Sequence, residues 1–255
     1  MGNEKLSLRK SFSIASGQFG AMMGAGIASG STVITYFILK GGWMSVFTPL
    51  VSLLIVFACY YIGFRICTNY GVRTYGEMFQ IIYGKAAPIM KPITEVYVLY
   101  TLWTSTAFAF SGSSSLFAQQ FDVNMWVGAI AAAVICVLII FKGMALYTKI
   151  QSAICFAMFI IVLATYVITL FFCGGFSNLA NQVSTRFLPE AASITDAIWW
   201  CVSLAGAWVA MISIYLESAG NDLDNPRNLR QTLTVGFSMN ATVAWIPALA
   251  LLAFA

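Results

Sequence analysis

The chain has 255 residues, of which 60% are hydrophobic and 9% charged, and its mean hydropathy is +0.85. A water-soluble domain carries about 25% charged residues to keep its surface wet, so this composition excludes that class and points to an all-α integral membrane protein. The net charge of +4 is spread over separate short segments, which excludes a nucleic-acid-binding face, and the lack of histidine removes the commonest general base and metal ligand.

At the N-terminus, Lys5, Arg9 and Lys10 precede an apolar run as in a secretory signal. The charge-free stretch from Ser11 to Leu39 is far longer than a signal's core and reads as a first membrane span. Leu6 stands where N-myristoylation requires Ser or Thr. Seven stretches are long enough to cross about 30 Å of hydrocarbon as helix. They lie near residues 12–39, 43–66, 93–119, 123–142, 148–172, 195–217 and 231–255. After the second, residues 73–83 carry the spacing of a short interfacial helix, with Tyr70, Tyr75 and Tyr83 at headgroup level. The six cysteines lie in or beside apolar spans without a CxxC pair, and read as small hydrophobes rather than a disulfide framework or metal site. No cofactor is expected.

Positive charge sets the orientation. With a cytoplasmic N-terminus, the inner segments hold Lys5, Arg9 and Lys10, then Arg65, Arg73, Lys85 and Lys91, then Lys142 and Lys149, then Arg227 and Arg230. The outer segments hold only Lys40 and Arg186. Trp43, Trp126, Trp199 and Trp200 fall at the outer boundaries, as an aromatic belt requires. The expected setting is a plasma membrane, the bacterial inner membrane, crossed several times.

The first span is rich in glycine at the bilayer centre. Its flanking charges, Lys10 and Lys40, centre on Ala25, between Gly24 and Gly26. The sixth span, flanked by Asp196 and Glu217, centres on Gly206. One reading is close helix packing by small residues. The other is a pair of helices broken at mid-membrane. In the first of them, a half-helix starting near Ala25 points free N–H groups at a carboxylate, while the carbonyls of Ala21, Met23 and Gly24 face a cation.

These residues also resemble a known group. Gly24-Ala25-Gly26-Ile27 is similar to the GSGI-type break in the first helix of the amino acid–polyamine–organocation (APC) superfamily. The segment from Asn221 to Asn228, containing Asn225-Pro226-Arg227, resembles the E-E-x-x-N-P-R run that follows the sixth helix there. The longer string Gly24–Gly30 is closer still to the YkvI-type bacterial branch. Where that branch continues with Gln-Glu this chain has Ser31-Thr32, which removes an acidic group. The resemblance implies a LeuT-like inverted-repeat fold in a single transmembrane domain, residues 1–255, with a first repeat over about 12–172 and a partial second over about 195–255. It implies a secondary active transporter of an amino acid or similar solute, coupled to Na+ or H+, and no enzyme. It places Gly24, Ala25, Gly26 and Ile27 at the substrate, with Tyr100 and Thr104 from the third span and Ser203, Gly206 and Trp208 from the sixth. The offset from Ala25 to Gly206 puts the end of a complete second repeat well beyond Ala255. On that basis helices 8 to 10 are expected to be missing and the isolated chain to lack coupled transport. The alternative is a transport-incompetent fragment or scaffold whose glycines pack helices.

Several residues carry two readings each. Trp103 and Trp208 are core filler or gates. Gln18 and Asn240 are expected to find partners across helices. The serines at 111, 113, 114 and 115 are expected to bond their own helix. Glu95 and Glu217 are interfacial carboxylates, pairing with Lys91 or Arg227, or else a cytoplasmic gate.

Overall fold

A computed structural model describes residues 6–22, 25–28, 30–72, 74–189, 192–210 and 225–255. Among them every regular element is helical. α1 is Leu8–Met22, followed by the short pieces Ala25–Ala28 and Ser31–Val33, a π-helical turn at Ile34–Ile38, Leu39–Gly41 and a 3-10 turn at Gly42–Val46. The longer helices are α2 (Thr48–Tyr70), α3 (Tyr75–Tyr83), α4 (Ala87–Phe121), α5 (Met125–Phe141), α6 (Met144–Phe172), α7 (Gly175–Ser184), α8 (Ile194–Ala210) and α9 (Pro226–Leu252).

Among the described residues, three helices are long and apolar enough to cross a membrane: α2, residues Lys149–Phe172 of α6, and α9. α5 and α8 are apolar but shorter, at 17 residues each in their described extent. These three correspond to the second, fifth and seventh of the expected spans.

Local chemistry sets the helix starts. Asn225 accepts a hydrogen bond from the Arg227 N–H (2.9 Å) and Pro226 occupies the first turn, so the Asn-Pro-Arg run is the start signal of α9. Asn124 caps α5 in the same way through the Trp126 N–H (3.0 Å). Thr74 accepts from the Glu77 N–H at the start of α3, the helix expected over residues 73–83. Tyr83 Oη lies 2.8 Å from Thr94 Oγ1 and holds α3 to α4.

The core is shared by α1, α2, α6, α8 and α9 with the outer pieces of the first span. Phe19, Phe37, Leu53, Tyr60, Leu204, Leu233 and Val243 are all buried in it. α4 and α5 pack chiefly on each other as a hairpin. Only Ala87, Val98 and Ser114 of α4 and Gly128 of α5 are buried among the described side chains. A Cβ at Gly128 would lie 2.7 Å from Phe117 Cβ, so the hairpin closes on itself through this glycine. The outer surfaces of the helices are apolar: Phe141 is 84% exposed and Phe172 82%.

α7 occupies part of the connection between the fifth and sixth expected spans. Phe176, Leu179 and Val183 are spaced along one side. Leu179 packs against the core, and Phe176 meets Phe171 edge to face at 4.8 Å.

Candidate functional site

Among the described residues of the first span, the backbone departs from regular helix at Gly30. α1 runs to Met22, and Met23, Gly24 and Ser29 lie outside the described residues. Ala25–Ala28 is α-helical, and the Gly30 N–H donates to the Ile27 carbonyl (3.0 Å). The Ser31 hydroxyl donates to the Gly26 carbonyl (3.2 Å), a local side-chain bond in an irregular stretch. Gly30 then takes a left-handed conformation (φ 79°), and the Ile34 N–H restarts the ladder on the Gly30 carbonyl (2.9 Å). A Cβ at Gly30 would lie 2.8 Å from Tyr166 Oη and 3.0 Å from Leu251 Cδ1, so both the backbone angle and the space demand glycine here.

The surroundings of this break come from two sides. Ala25–Ala28 packs against α4, and α4 also touches α8. The outer pieces, Ile34–Gly41, pack along α8. Ile27 is buried at 2% exposure, while Gly26 is half-buried.

The expected substrate residues are distributed as follows. Ala25, Gly26 and Ile27 sit at the break itself. On α4, Tyr100 is exposed, and the Thr104 hydroxyl donates to its own helix at the Tyr100 and Thr101 carbonyls (2.9 and 3.1 Å). On α8, Ser203 is half-buried and Gly206 is exposed, with no described atom within 4 Å of where a Cβ would stand. Trp208 is buried, and its carbonyl accepts from Tyr60 Oη (3.2 Å), so it belongs to the core. Trp103 is 76% exposed and fills no core. Of the cation candidates, Ala21 lies in the last turn of α1, and Met23 and Gly24 are outside the described residues.

One expectation is corrected. α8 passes through Gly206 as continuous helix from Ile194 to Ala210, so the sixth span has no break at that residue. A lone glycine between Ala205 and Ala207 weakens a helix by about 1 kcal/mol, too little to open it. The first span differs at Gly30, whose left-handed φ of 79° cannot continue a right-handed helix. Glu217 and residues 221–224 lie outside the described residues.

The polar links between helices are also not those expected. Gln18 reaches only its own helix, Nε2 to Met22 Sδ at 3.9 Å, and Asn240 Nδ2 donates to the Gly236 carbonyl of its own helix (2.8 Å). Other residues tie the helices. The Asn228 amide oxygen accepts from the Leu6 N–H (3.2 Å), and Gln231 Nε2 donates to Ser11 Oγ (3.0 Å). Ser52 Oγ donates to the Cys201 carbonyl (2.9 Å) between α2 and α8. Asn228 sits beside the Asn-Pro-Arg run, the one sequence signal that marked this corner. On α4, Ser113 and Ser114 bond the Ala109 and Phe110 carbonyls as expected, while Ser115 Oγ accepts from Gln119 Nε2 (3.2 Å). Glu95 lies 4.0 Å from Lys91.

A groove of about 280 Å³ lies elsewhere, between α6 and α9, lined by Phe159, Thr234, Val235, Ser238, Met239 and Thr242. None of the expected site residues borders it. Among the described residues, no cluster of Cys, Asp and Glu is placed to hold a metal ion. No family model, curated protein or solved structure matches the chain.

Proposed function

We propose that this chain is a multi-pass integral membrane protein of LeuT-like type that binds an amino acid or similar small solute at the broken first span. It carries the solute across the bilayer by alternating access, coupled to Na+ or H+. One observation carries this reading: within a charge-free apolar span Gly30 turns left-handed (φ 79°), and α4 packs against the Ala25–Ala28 turn just before it. Hydrocarbon offers no partner for free amides, so irregular backbone at that depth persists where it is buried in protein or lines a polar path. The apolar outer surfaces at Phe141 and Phe172 suit lipid, and the inner bias of Lys and Arg suits a cytoplasmic N-terminus.

A scaffold reading is favoured by the packing glycines. A Cβ at Gly20 would lie 3.0 Å from Cys155 Sγ, and α8 is unbroken at Gly206. Equilibrium binding separates the two. The purified chain in nanodiscs, titrated with a panel of radiolabelled amino acids, should bind at least one of them saturably. Failure to bind any of the panel, with the protein folded and monodisperse, leaves the scaffold reading in place.

Orientation has its own test. In a background without the six native cysteines, Cys at Asp122 or Arg186 should react with an impermeant thiol reagent from outside. Cys at Lys149 or Arg227 should not. Reversal of that pattern overturns the cytoplasmic N-terminus.

A further inference from the structure

Residues 174–189 form a strap across the C-terminal ends of α6 and α9. The chain reverses at Gly174 (φ 73°), and α7 then packs back on both helices. Leu179 and Phe187 reach the core, while most of the strap is exposed. Tyr166 of α6 and Leu251 of α9 are the side chains that a Cβ at Gly30 would meet. The strap touches the same two helices four residues further on. Gly175 lies against Leu170, with a Cβ 2.8 Å from the Leu170 Cα, and Gln182 Nε2 donates to the main-chain oxygen of Ala255 (2.9 Å). Four residues are about one helical turn, roughly 6 Å, so α7 roofs the Gly30 turn.

The far end of the strap is seated on the outer pieces of the first span. The Trp43 N–H donates to the Phe187 carbonyl (2.8 Å). Gly42 has φ 48°, and a Cβ there would fall on that carbonyl oxygen and lie 3.0 Å from Leu188 Cα, so only glycine gives the strap its seat. Arg186, the residue before, is left-handed (φ 51°) without being glycine. Such a backbone is kept by its contacts rather than by its own preference. The contacts here are the Phe187 N–H on the Gln182 carbonyl (2.9 Å) and the Trp43 bond. A few hydrogen bonds and one glycine seat thus hold a strained corner that favours release.

We propose that residues 174–189 are a latched lid over the Gly30 turn, closed in this structure, and that opening the Trp43–Phe187 latch admits water and solute to the turn. An exposed segment with few ties opens at low cost while the packed helices beneath it stay in place. The inference rests on the reading of the first-span turn as the solute's site, but the latch is tested without solute.

Leu251→Cys, in a background without the native cysteines, reports on the space beneath the lid through its rate of reaction with a water-soluble maleimide. In the full chain in nanodiscs that rate should be slow, and Gly42→Ala should raise it at least about tenfold, because overpacking the seat drives the latch open. Met78→Cys, at a buried position of α3, should stay slow in both backgrounds. If it accelerates as well, Gly42→Ala has loosened the whole fold, and Gln182→Ala decides instead. Loss of the bond to Ala255 should then raise the Leu251→Cys rate about threefold. Fast reaction of Leu251→Cys with the latch intact overturns the lid, and so does a rate that neither variant changes. Saturation binding of amino acids is a separate measurement. A lid that opens over a turn binding no solute removes the transport reading and keeps the lid, while bound solute with unaltered labelling removes the lid alone.

Discussion

Gly30→Ala should destabilise the protein by about 2–5 kcal/mol, a loss visible as a lower melting temperature of the purified chain in detergent. Two causes add. An L-residue in the left-handed region costs about 1–2 kcal/mol, and Gly30 has φ 79°. The new methyl would also stand 2.8 Å from Tyr166 Oη and 3.0 Å from Leu251 Cδ1, and overpacking of this kind costs about 1–3 kcal/mol. Tyr166→Phe removes the nearer atom. In the double variant part of the overlap should be relieved, while the backbone cost stays. An unchanged melting temperature in Gly30→Ala would mean that the left-handed turn is dispensable. Full recovery in the double variant would mean that only the overlap counts.

That site was partly legible in the sequence, and the reason is physical. A glycine alone enters the left-handed region at little cost, and among the clustered glycines of the first span Gly30 does so. Gly206 looked equivalent by depth alone. Depth, however, says nothing about neighbours, and between two alanines the α8 ladder simply continues. Helix starts were readable because their chemistry is local: Asn225-Pro226 opens α9, and Thr74 with Glu77 opens α3. α7 went unread because it is short and polar, with Asn178, Asn181 and Gln182 among its ten residues, although Phe176, Leu179 and Val183 carry helical spacing.

Pairing across helices is the part that sequence conceals most. Gln18 and Asn240 were sound choices for buried polar residues, and both are buried. Their partners depend on rotation of each helix about its axis, which no spacing reports. The bonds between helices fall instead to Asn228 and Gln231 near the N-terminal ends of α1 and α9, and to Ser52 opposite Cys201. The exposed hairpin of α4 and α5 shows the same limit. Its residues are apolar enough for a core, yet Trp103 and Phe141 face outward, because burial is decided by which helix arrives beside them.

Gly26→Leu should abolish solute binding while membrane insertion persists. In the proposed mechanism the ligand touches main-chain groups at the break, and a branched side chain keeps it from the backbone. Losing contact with the main-chain groups at the break should weaken binding at least about a hundredfold, since each tenfold corresponds to about 1.4 kcal/mol. The same position has a packing role to be separated from this one. A Cβ at Gly26 would fall on Thr32 Oγ1, so even alanine disturbs the outer turn. Thr32→Ala clears that space. If Gly26 serves only to accommodate Thr32, the pair Gly26→Ala and Thr32→Ala should bind solute as well as Thr32→Ala alone. If the backbone is the ligand's partner, the pair should bind less tightly than Thr32→Ala, and Gly26→Leu in the Thr32→Ala background should not bind at all. Measured as saturation binding in nanodiscs, with melting temperature as the control for folding, equal affinity across all these variants would remove the broken helix as the site.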